Sequence, residues 1–219
     1  MADAEKKEVQ AYFERVAGDF DSIYSGQKSG FARWLDRVFR KDMYDRMRLT
    51  LEECSAPELK SILDIGTGSG RFCLPLAPGK ERVVGLDFSP AMIELARKYA
   101  REQGVADKCR FEVGDFLQAR FDEPFDAIMA IGLFDYIADP LVFLKKMRDC
   151  ARKKVVATWP TAWTWRAPVR WLRLKLHGCP VYFFTPAKIR RYYAAAGFAI
   201  TRLERVGKIY FVVAKPSAS

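Results

Sequence analysis

The sequence predicts an α/β fold, in which a mostly parallel sheet of seven strands is flanked by helices and ends in a C-terminal antiparallel hairpin. Three observations predict it. Apolar runs of strand length alternate with helical patterns between residues 61 and 160. Several of these runs end in an acidic residue, and the helical patterns begin with capping signals such as Ser89 followed by Pro90. A single structural domain is expected for 219 residues, 50% of them hydrophobic.

The first strand runs into a glycine-rich turn, ILDIGTGSGRF, from Ile62 to Phe72. Its three glycines are Gly66, Gly68 and Gly70. Glycine permits a positive φ and lets a ligand approach the backbone closely. A dinucleotide-binding turn would carry its third glycine at position 71, which is Arg71, and a carboxylate at Asp64 would repel a diphosphate. The turn therefore disfavours NAD and FAD and suits a ligand that carries an ammonium group.

The next strands place further acidic residues at the same edge of the sheet. Arg82 to Asp87 ends in an acid 17 residues after the last glycine of the turn, close to the spacing at which a second strand presents a carboxylate to ribose hydroxyls. The third strand, Arg110 to Val113, is followed by the sequence GDF, which contains Asp115. The fourth, Phe125 to Ile131, leads into GLFDYI. Since parallel strands share their carboxyl edge, a ligand site is expected there.

The stretch of two hydrophobic residues followed by Asp-Ile-Gly-Thr-Gly-Ser-Gly resembles motif I of the class I S-adenosylmethionine (SAM)-dependent methyltransferases, and GDF resembles their acid-aromatic motif after strand three. The resemblance covers about residues 60 to 215. It implies a Rossmann-like class I methyltransferase fold with SAM as the cofactor. The methionine end of SAM would lie on the glycine turn, its ribose at Asp87 and its adenine near Asp115. The cofactor-binding residues implied are Tyr12, Asp64, Gly66, Thr67, Gly68, Gly70, Asp87, Phe88, Met92, Asp115, Phe116 and Ile131.

Residues 1 to 58 are predicted to form an N-terminal helical cap, and residues 59 to 219 the SAM-binding part, within one structural domain. Apolar residues recur at helical spacing in two stretches of the cap. The string YFERVAGDFDSIYS resembles the region before motif I in families that act on quinone precursors, porphyrins or lipids, where an aromatic side chain closes over SAM. Tyr12, Phe20 and Tyr24 are candidates for this lid, although core packing explains Phe20 at least as well.

The predicted catalytic residues are Tyr24, Tyr136 and His177. Methyl transfer from a sulfonium mainly requires alignment of the acceptor and exclusion of water. A general base is needed only where the acceptor must lose a proton, and exposure at a helix end is the better explanation of His177. No metal is expected, because this histidine is the only one and the five cysteines share no ligand spacing.

The charge of the chain is unevenly distributed. Residues 1 to 144 carry 20 basic and 25 acidic side chains, whereas residues 145 to 219 carry 17 and 2, a net of +15. Within this basic third, the insertion from Trp159 to Val181 combines tryptophans and leucines with arginines at helical spacing, a composition suited to a bilayer interface or to an apolar anionic ligand. Two interpretations stay open: contact with an anionic membrane surface, and a merely solvated basic face.

The sequence therefore predicts an enzyme that transfers a methyl group from SAM to an oxygen or nitrogen of a small, apolar or anionic acceptor of the quinol, porphyrin, lipid or secondary-metabolite type. An RNA methyltransferase is an alternative, disfavoured because no Asn-Pro-Pro-Tyr follows strand four and no separate RNA-binding domain is evident. A non-catalytic SAM-binding module is another. We expect a cytoplasmic protein with peripheral membrane contact, since no run of 18 apolar residues occurs and the N-terminus is charged.

Overall fold

A computed structural model of the protein describes residues 41–161 and 182–217. These residues form one sheet with helices on both faces. In chain order the elements are α1 (Lys41–Cys54), β1 (Ser61–Ile65), α2 (Cys73–Leu76), β2 (Arg82–Asp87), α3 (Pro90–Glu102), β3 (Cys109–Val113), β4 (Phe125–Ala130), α4 (Pro140–Cys150), β5 (Ala151–Pro160), α5 (Pro186–Ala195), β6 (Phe198–Val206) and β7 (Ile209–Pro216).

The sheet has the strand order β3-β2-β1-β4-β5-β7-β6. The first five strands are mutually parallel, and β7 runs antiparallel to both β5 and β6. The predicted seven-stranded sheet with its C-terminal hairpin is thereby confirmed. Strand order reverses between β1 and β4, and in open α/β sheets ligands bind outside the carboxyl ends of the strands at such a point.

Local signals set most element boundaries. Ser89 caps α3, its hydroxyl accepting a hydrogen bond from the Met92 N–H, and Thr185 caps α5 in the same way. Helix α4 ends at Cys150, because Ala151 already has extended backbone and pairs with Phe125 of β4. Only four residues form α2, and a 3-10 turn, Ala77–Gly79, follows it.

The core lies on both faces of the sheet, as the alternation of side chains along β1 requires. Leu63 and Ile65 pack with α4 and α5 on one face, and Ile62 packs with α1 and α3 on the other. On the first face the ring of Trp159 stacks on that of Phe134, with ring centroids 3.9 Å apart.

An ion-pair network fixes the carboxyl end of α1 on the second face of the sheet. The carboxylate of Glu53 contacts Lys154 Nζ at 2.8 Å and Arg202 Nη1 at 3.1 Å. Buried Leu49 and Cys54 add apolar contacts from the same helix. Among the described helices, none has the length and apolar character needed to cross a membrane.

Gly85 of β2 is predicted to be intolerant of a side chain. A Cβ there would lie 2.6 Å from Phe111 Cδ1 and 2.8 Å from Thr67 Oγ1. Gly85→Ala should therefore lower the free energy of unfolding by about 1–3 kcal/mol, measured by urea denaturation. Gly79→Ala is the matched control, because no atom lies within 4 Å of its Cβ position. It should change stability by less than about 0.5 kcal/mol. Equal effects of the two substitutions would contradict the packing described.

Candidate active site

A cavity of about 490 Å³ opens at the carboxyl edge of the sheet, where strand order reverses. This volume lies within the roughly 300–1,000 Å³ usual for small-molecule sites. The turn after β1 and the ends of β2, β3 and β4 form its wall, together with one residue of α1. The lining residues are Arg46, residues 65–69, Arg71, Phe72, residues 86–88, Met92, residues 114–116, residues 131–133, residues 135–137 and Phe143.

The glycine turn forms one wall of the cavity. All three of its glycines have positive φ, +70° at Gly66, +54° at Gly68 and +80° at Gly70. No atom lies within 4 Å of a Cβ placed on Gly68, so the backbone there is open to a ligand. Gly70 has a different role from the one predicted, since it does not line the cavity. A Cβ there would lie 2.9 Å from Phe111 Cζ, so this glycine permits close packing against β3.

Asp87 joins the glycine turn to the end of β2. Its Oδ2 accepts a hydrogen bond from the Gly68 N–H at 2.8 Å, and its Oδ1 accepts one from the Ser89 N–H at 2.9 Å. The side chain is nearly buried but borders the cavity. Burial raises the pKa of this carboxyl, and its backbone donors partly offset that rise. The carboxylate is thus held in place at the cavity wall.

Asp64 differs from the prediction, because it lies behind the glycine turn and not on the cavity wall. The residue is only 1% exposed. Its Oδ2 accepts hydrogen bonds from Thr67 Oγ1 at 2.9 Å and from Cys73 Sγ at 3.6 Å. Burial raises the pKa of this carboxyl to about 7. A direct contact with a ligand ammonium group is therefore not available in this geometry, and the carboxyl supports the turn from below.

The residues predicted around the adenine do come together. Phe88, Met92, Asp115 and Phe116 all line the cavity on the side of β2 and β3, and Ile131 lines it at the end of β4. Met92 and Phe116 are buried and make the adenine side of the wall largely apolar. The carboxylate of Asp115 is oriented by the Leu117 N–H, at 3.0 Å from Oδ1. This end of the cavity can hold a flat apolar group with polar atoms on its rim.

Of the predicted catalytic residues, Tyr136 lines the cavity. Tyr24 and His177 lie outside the described residues, as do Tyr12 and Phe20 of the predicted lid and residues 162–181 of the insertion. Their roles stay predictions.

Sequence reasoning missed two cations and a glycine in the cavity wall. Arg46 reaches it from α1, and Arg71 from the residue after the glycine turn. Gly132 has a φ of +78°, and its N–H donates to Thr158 Oγ1 at 2.7 Å. A Cβ there would lie 3.3 Å from Arg46 Nη1, so glycine leaves room for the guanidinium. Within residues 41–161 and 182–217, no group of three or more potential ligand side chains could hold a metal ion.

The strand order, the glycine turn and the acid that ends β2 are those of the class I methyltransferase fold. A family model described as "Methyltransferase domain" matches residues 58–167, half of the sequence. The chain belongs to this family.

Individual relatives agree on the fold but differ in their chemistry. A ubiquinone biosynthesis O-methyltransferase of Maricaulis maris is 37% identical over 91 residues, which are 42% of this chain and 35% of that protein. The magnesium protoporphyrin IX methyltransferase of Synechocystis PCC 6803, crystallised with S-adenosylhomocysteine (SAH), has a TM-score of 0.76 at 20% identity, covering 97% of this chain and all of that one. The [4+2]-cyclase SpnF has a TM-score of 0.67 at 16% identity, covering 81% and 82%. The chain thus spans about a third of the curated relative, and the fold alone does not specify the reaction.

Proposed function

We propose that this chain binds SAM in the cavity and transfers its methyl group to an oxygen or nitrogen of a small, apolar or anionic acceptor. One observation supports this proposal most. The Gly68 N–H donates a hydrogen bond to Asp87 Oδ2 at 2.8 Å, which holds the exposed backbone of the turn and the carboxylate together at one wall of the cavity. A ligand with a polar chain and a ribose needs both groups side by side.

The residues of the cavity fit this cofactor in their chemistry. The Asp87 carboxylate can accept hydrogen bonds from the two neighbouring hydroxyl groups of a ribose. The backbone at Gly68 leaves space for the ligand to approach closely. Met92 and Phe116 offer an apolar wall to a purine ring. Arg46 supplies a positive charge suited to a carboxylate.

When bound, SAM supplies an electrophilic methyl group on a sulfonium centre, so the chain must align an acceptor and keep water away. The β4 side of the cavity is suited to both tasks. Leu133, Ile137 and Phe143 provide apolar surface there. Asp135 and Tyr136 provide the adjacent titratable groups, which can hold or take up an acceptor proton.

The described residues that flank the insertion lie near the cavity. Before it, Thr161 follows the carboxyl end of β5 and forms a bridge with Phe184. After it, the Tyr182 N–H donates to the backbone oxygen of Asp135, a cavity residue, at 2.9 Å. The residues on both sides of the segment 162–181 therefore lie at the edge of the sheet that carries the cavity. This supports a role of the insertion in choosing the acceptor.

The names of the relatives support an acceptor that is apolar and aromatic, of the quinol or porphyrin type. The RNA alternative is weakened by the use of C-terminal basic residues inside the fold. Lys146 donates to the backbone oxygens of Leu117 and Ala119, and Arg148 donates to those of Gly197 and Ser217.

Asp87→Ala is predicted to weaken SAM binding by an order of magnitude or more, measured by isothermal titration calorimetry. The substitution removes two charge-assisted hydrogen bonds to the ligand, each worth about 1.5–3 kcal/mol. Asp122→Ala, in an exposed loop outside the cavity, is the control and should leave affinity unchanged. Far-ultraviolet circular dichroism checks that Asp87→Ala still folds. Unchanged SAM affinity in a folded Asp87→Ala protein would contradict the assignment.

Turnover is tested by incubating the chain with tritium-labelled SAM and a panel of quinols, porphyrins, lipids and tRNA. We expect label in a quinol or porphyrin and none in tRNA. Label in tRNA alone would favour the RNA methyltransferase. SAM binding without transfer to any acceptor would favour the non-catalytic module.

We also propose peripheral contact with an anionic membrane surface, supported by the excess of basic residues in the last third of the sequence and by exposed Lys188, Arg190 and Arg191 on α5. Each basic side chain near such a surface contributes about 1 kcal/mol. Wild type should cosediment with anionic vesicles at low salt, and the triple change of Arg166, Arg170 and Arg173 to Glu should abolish this. Equal charge reversal of Lys98, Arg101 and Lys108, exposed elsewhere, is the control. Equal, weak binding of both proteins to anionic and to neutral vesicles would exclude the membrane contact.

A further inference from the structure

A buried carboxyl lies directly beneath the glycine turn. Asp64 sits between Gly85 of β2 and Met129 of β4 in the sheet and is 1% exposed. Within the described ranges, no Lys or Arg forms an ion pair with it. Its donors are both neutral: the hydroxyl of Thr67 and the thiol of Cys73. The carboxyl is thus held by hydrogen bonds alone, with no countercharge.

The surroundings of Asp64 raise the pKa of its carboxyl into the neutral range. Burial is the main cause of its raised pKa of about 7, and the carboxylate of Asp87 raises it further. The thiols of Cys73 and Cys54 stay protonated, because burial raises their pKa, to about 12 for Cys54. Among the residues that the structure describes, Asp87 is the one acidic or basic side chain whose charge acts on the pKa of Asp64, and it raises that pKa. Near neutral pH the carboxyl can hold or lose its proton at little cost.

One side chain connects this carboxyl to the cavity wall. Thr67 lines the cavity, and its hydroxyl donates to Asp64 at 2.9 Å. Charges on a ligand at the turn would act on Asp64 through buried protein, in which electrostatic interactions are stronger than in water.

We propose that Asp64 distinguishes SAM from its product by their difference in charge, losing its proton when SAM binds and regaining it after transfer. The inference rests on the proposed function. In the reaction the methyl carbon leaves sulfur for the acceptor, sulfur keeps the bonding electron pair, and the acceptor proton passes to a base or to solvent. SAH therefore carries one positive charge less than SAM, and Asp64 then takes a proton back from solvent.

The sign of the pH dependence follows from linkage. Below its titration range Asp64 is protonated in the free protein, so SAM must displace a proton and binds more weakly. Above that range Asp64 is already ionised, and SAM binds with full affinity. SAH lacks the sulfonium charge and gains little from ionised Asp64. The preference for SAM over SAH should therefore rise with pH, which would favour release of the product.

Calorimetric titration of the full chain with SAM and with SAH, at pH 6 and pH 8, tests this proposal. Buffers that differ in ionisation enthalpy report the protons released. SAM affinity should fall about five- to tenfold from pH 8 to pH 6, with release of most of one proton at pH 6, whereas SAH affinity should change by less than about twofold. SAH carries the same ammonium and carboxylate groups as SAM, so it controls for their titration.

Two variants link the effect to this carboxyl. Asp64→Asn should abolish the difference between SAM and SAH in pH dependence. Thr67→Val, which removes a donor to the ionised form, should move the midpoint of the SAM profile to higher pH, an effect that a structural role alone would not produce. The control variant is Asp126→Asn. Asp126 is also buried, and its carboxylate accepts hydrogen bonds from the backbone N–H groups of Lys60 and Ser61 at the opposite edge of the sheet. This variant should keep the wild-type profile.

The possible failures are distinguishable. If neither ligand binds the wild type, the proposed function is wrong. If both ligands bind with equal pH dependence, or if Asp64→Asn retains the difference, only the inference about Asp64 is wrong. Should Asp64→Asn fail to fold, the Thr67→Val midpoint decides, and an unmoved midpoint overturns the proposal.

Discussion

The hydrogen bond between the Gly68 N–H and Asp87 Oδ2 is the constraint on which the cavity depends. It closes the glycine turn against the end of β2, and the backbone oxygen of Leu86 adds two more bonds, from the N–H groups of Gly66 at 2.8 Å and Thr67 at 3.1 Å. The positive φ angles of the turn are costly for any residue except glycine. The glycines of the turn, their backbone conformation and the Asp87 carboxylate together fix this wall of the cavity.

The opposite wall depends on aromatic packing. Phe134 and Trp159 are fully buried and stacked, and Phe184 meets Trp159 edge to face at 4.9 Å between ring centroids. Because Asp135 and Tyr136 directly follow Phe134, this packing fixes where their backbone leaves the core. The side of the cavity proposed for the acceptor is therefore built on the buried cluster that also contains Phe184.

Local sequence signals predicted the parts of the site that depend on short stretches of chain. The strand that ends in Asp87, the cap at Ser89 and the sequence GDF after β3 could all be identified from spacing. The orientation of Asp64 could not, because it depends on how Thr67 and Cys73 fold back beneath the turn. Arg46 was missed for a related reason, since it reaches Gly132 only through the packing of α1 on the sheet.

The central claim, that the glycine-lined cavity is the cofactor site, is tested most directly by amide NMR of protein labelled with [¹⁵N]glycine. The chain has 14 glycines. Those that the structure describes include four in the cavity wall and several outside it. On saturation with SAH, the amide signals of the cavity glycines should shift; these are Gly66, Gly68, Gly114 and Gly132. Those of Gly79, Gly104 and Gly207, which lie outside the cavity, should not move. Shifts confined to the remote glycines, or none at saturating SAH, would contradict the assignment of the site.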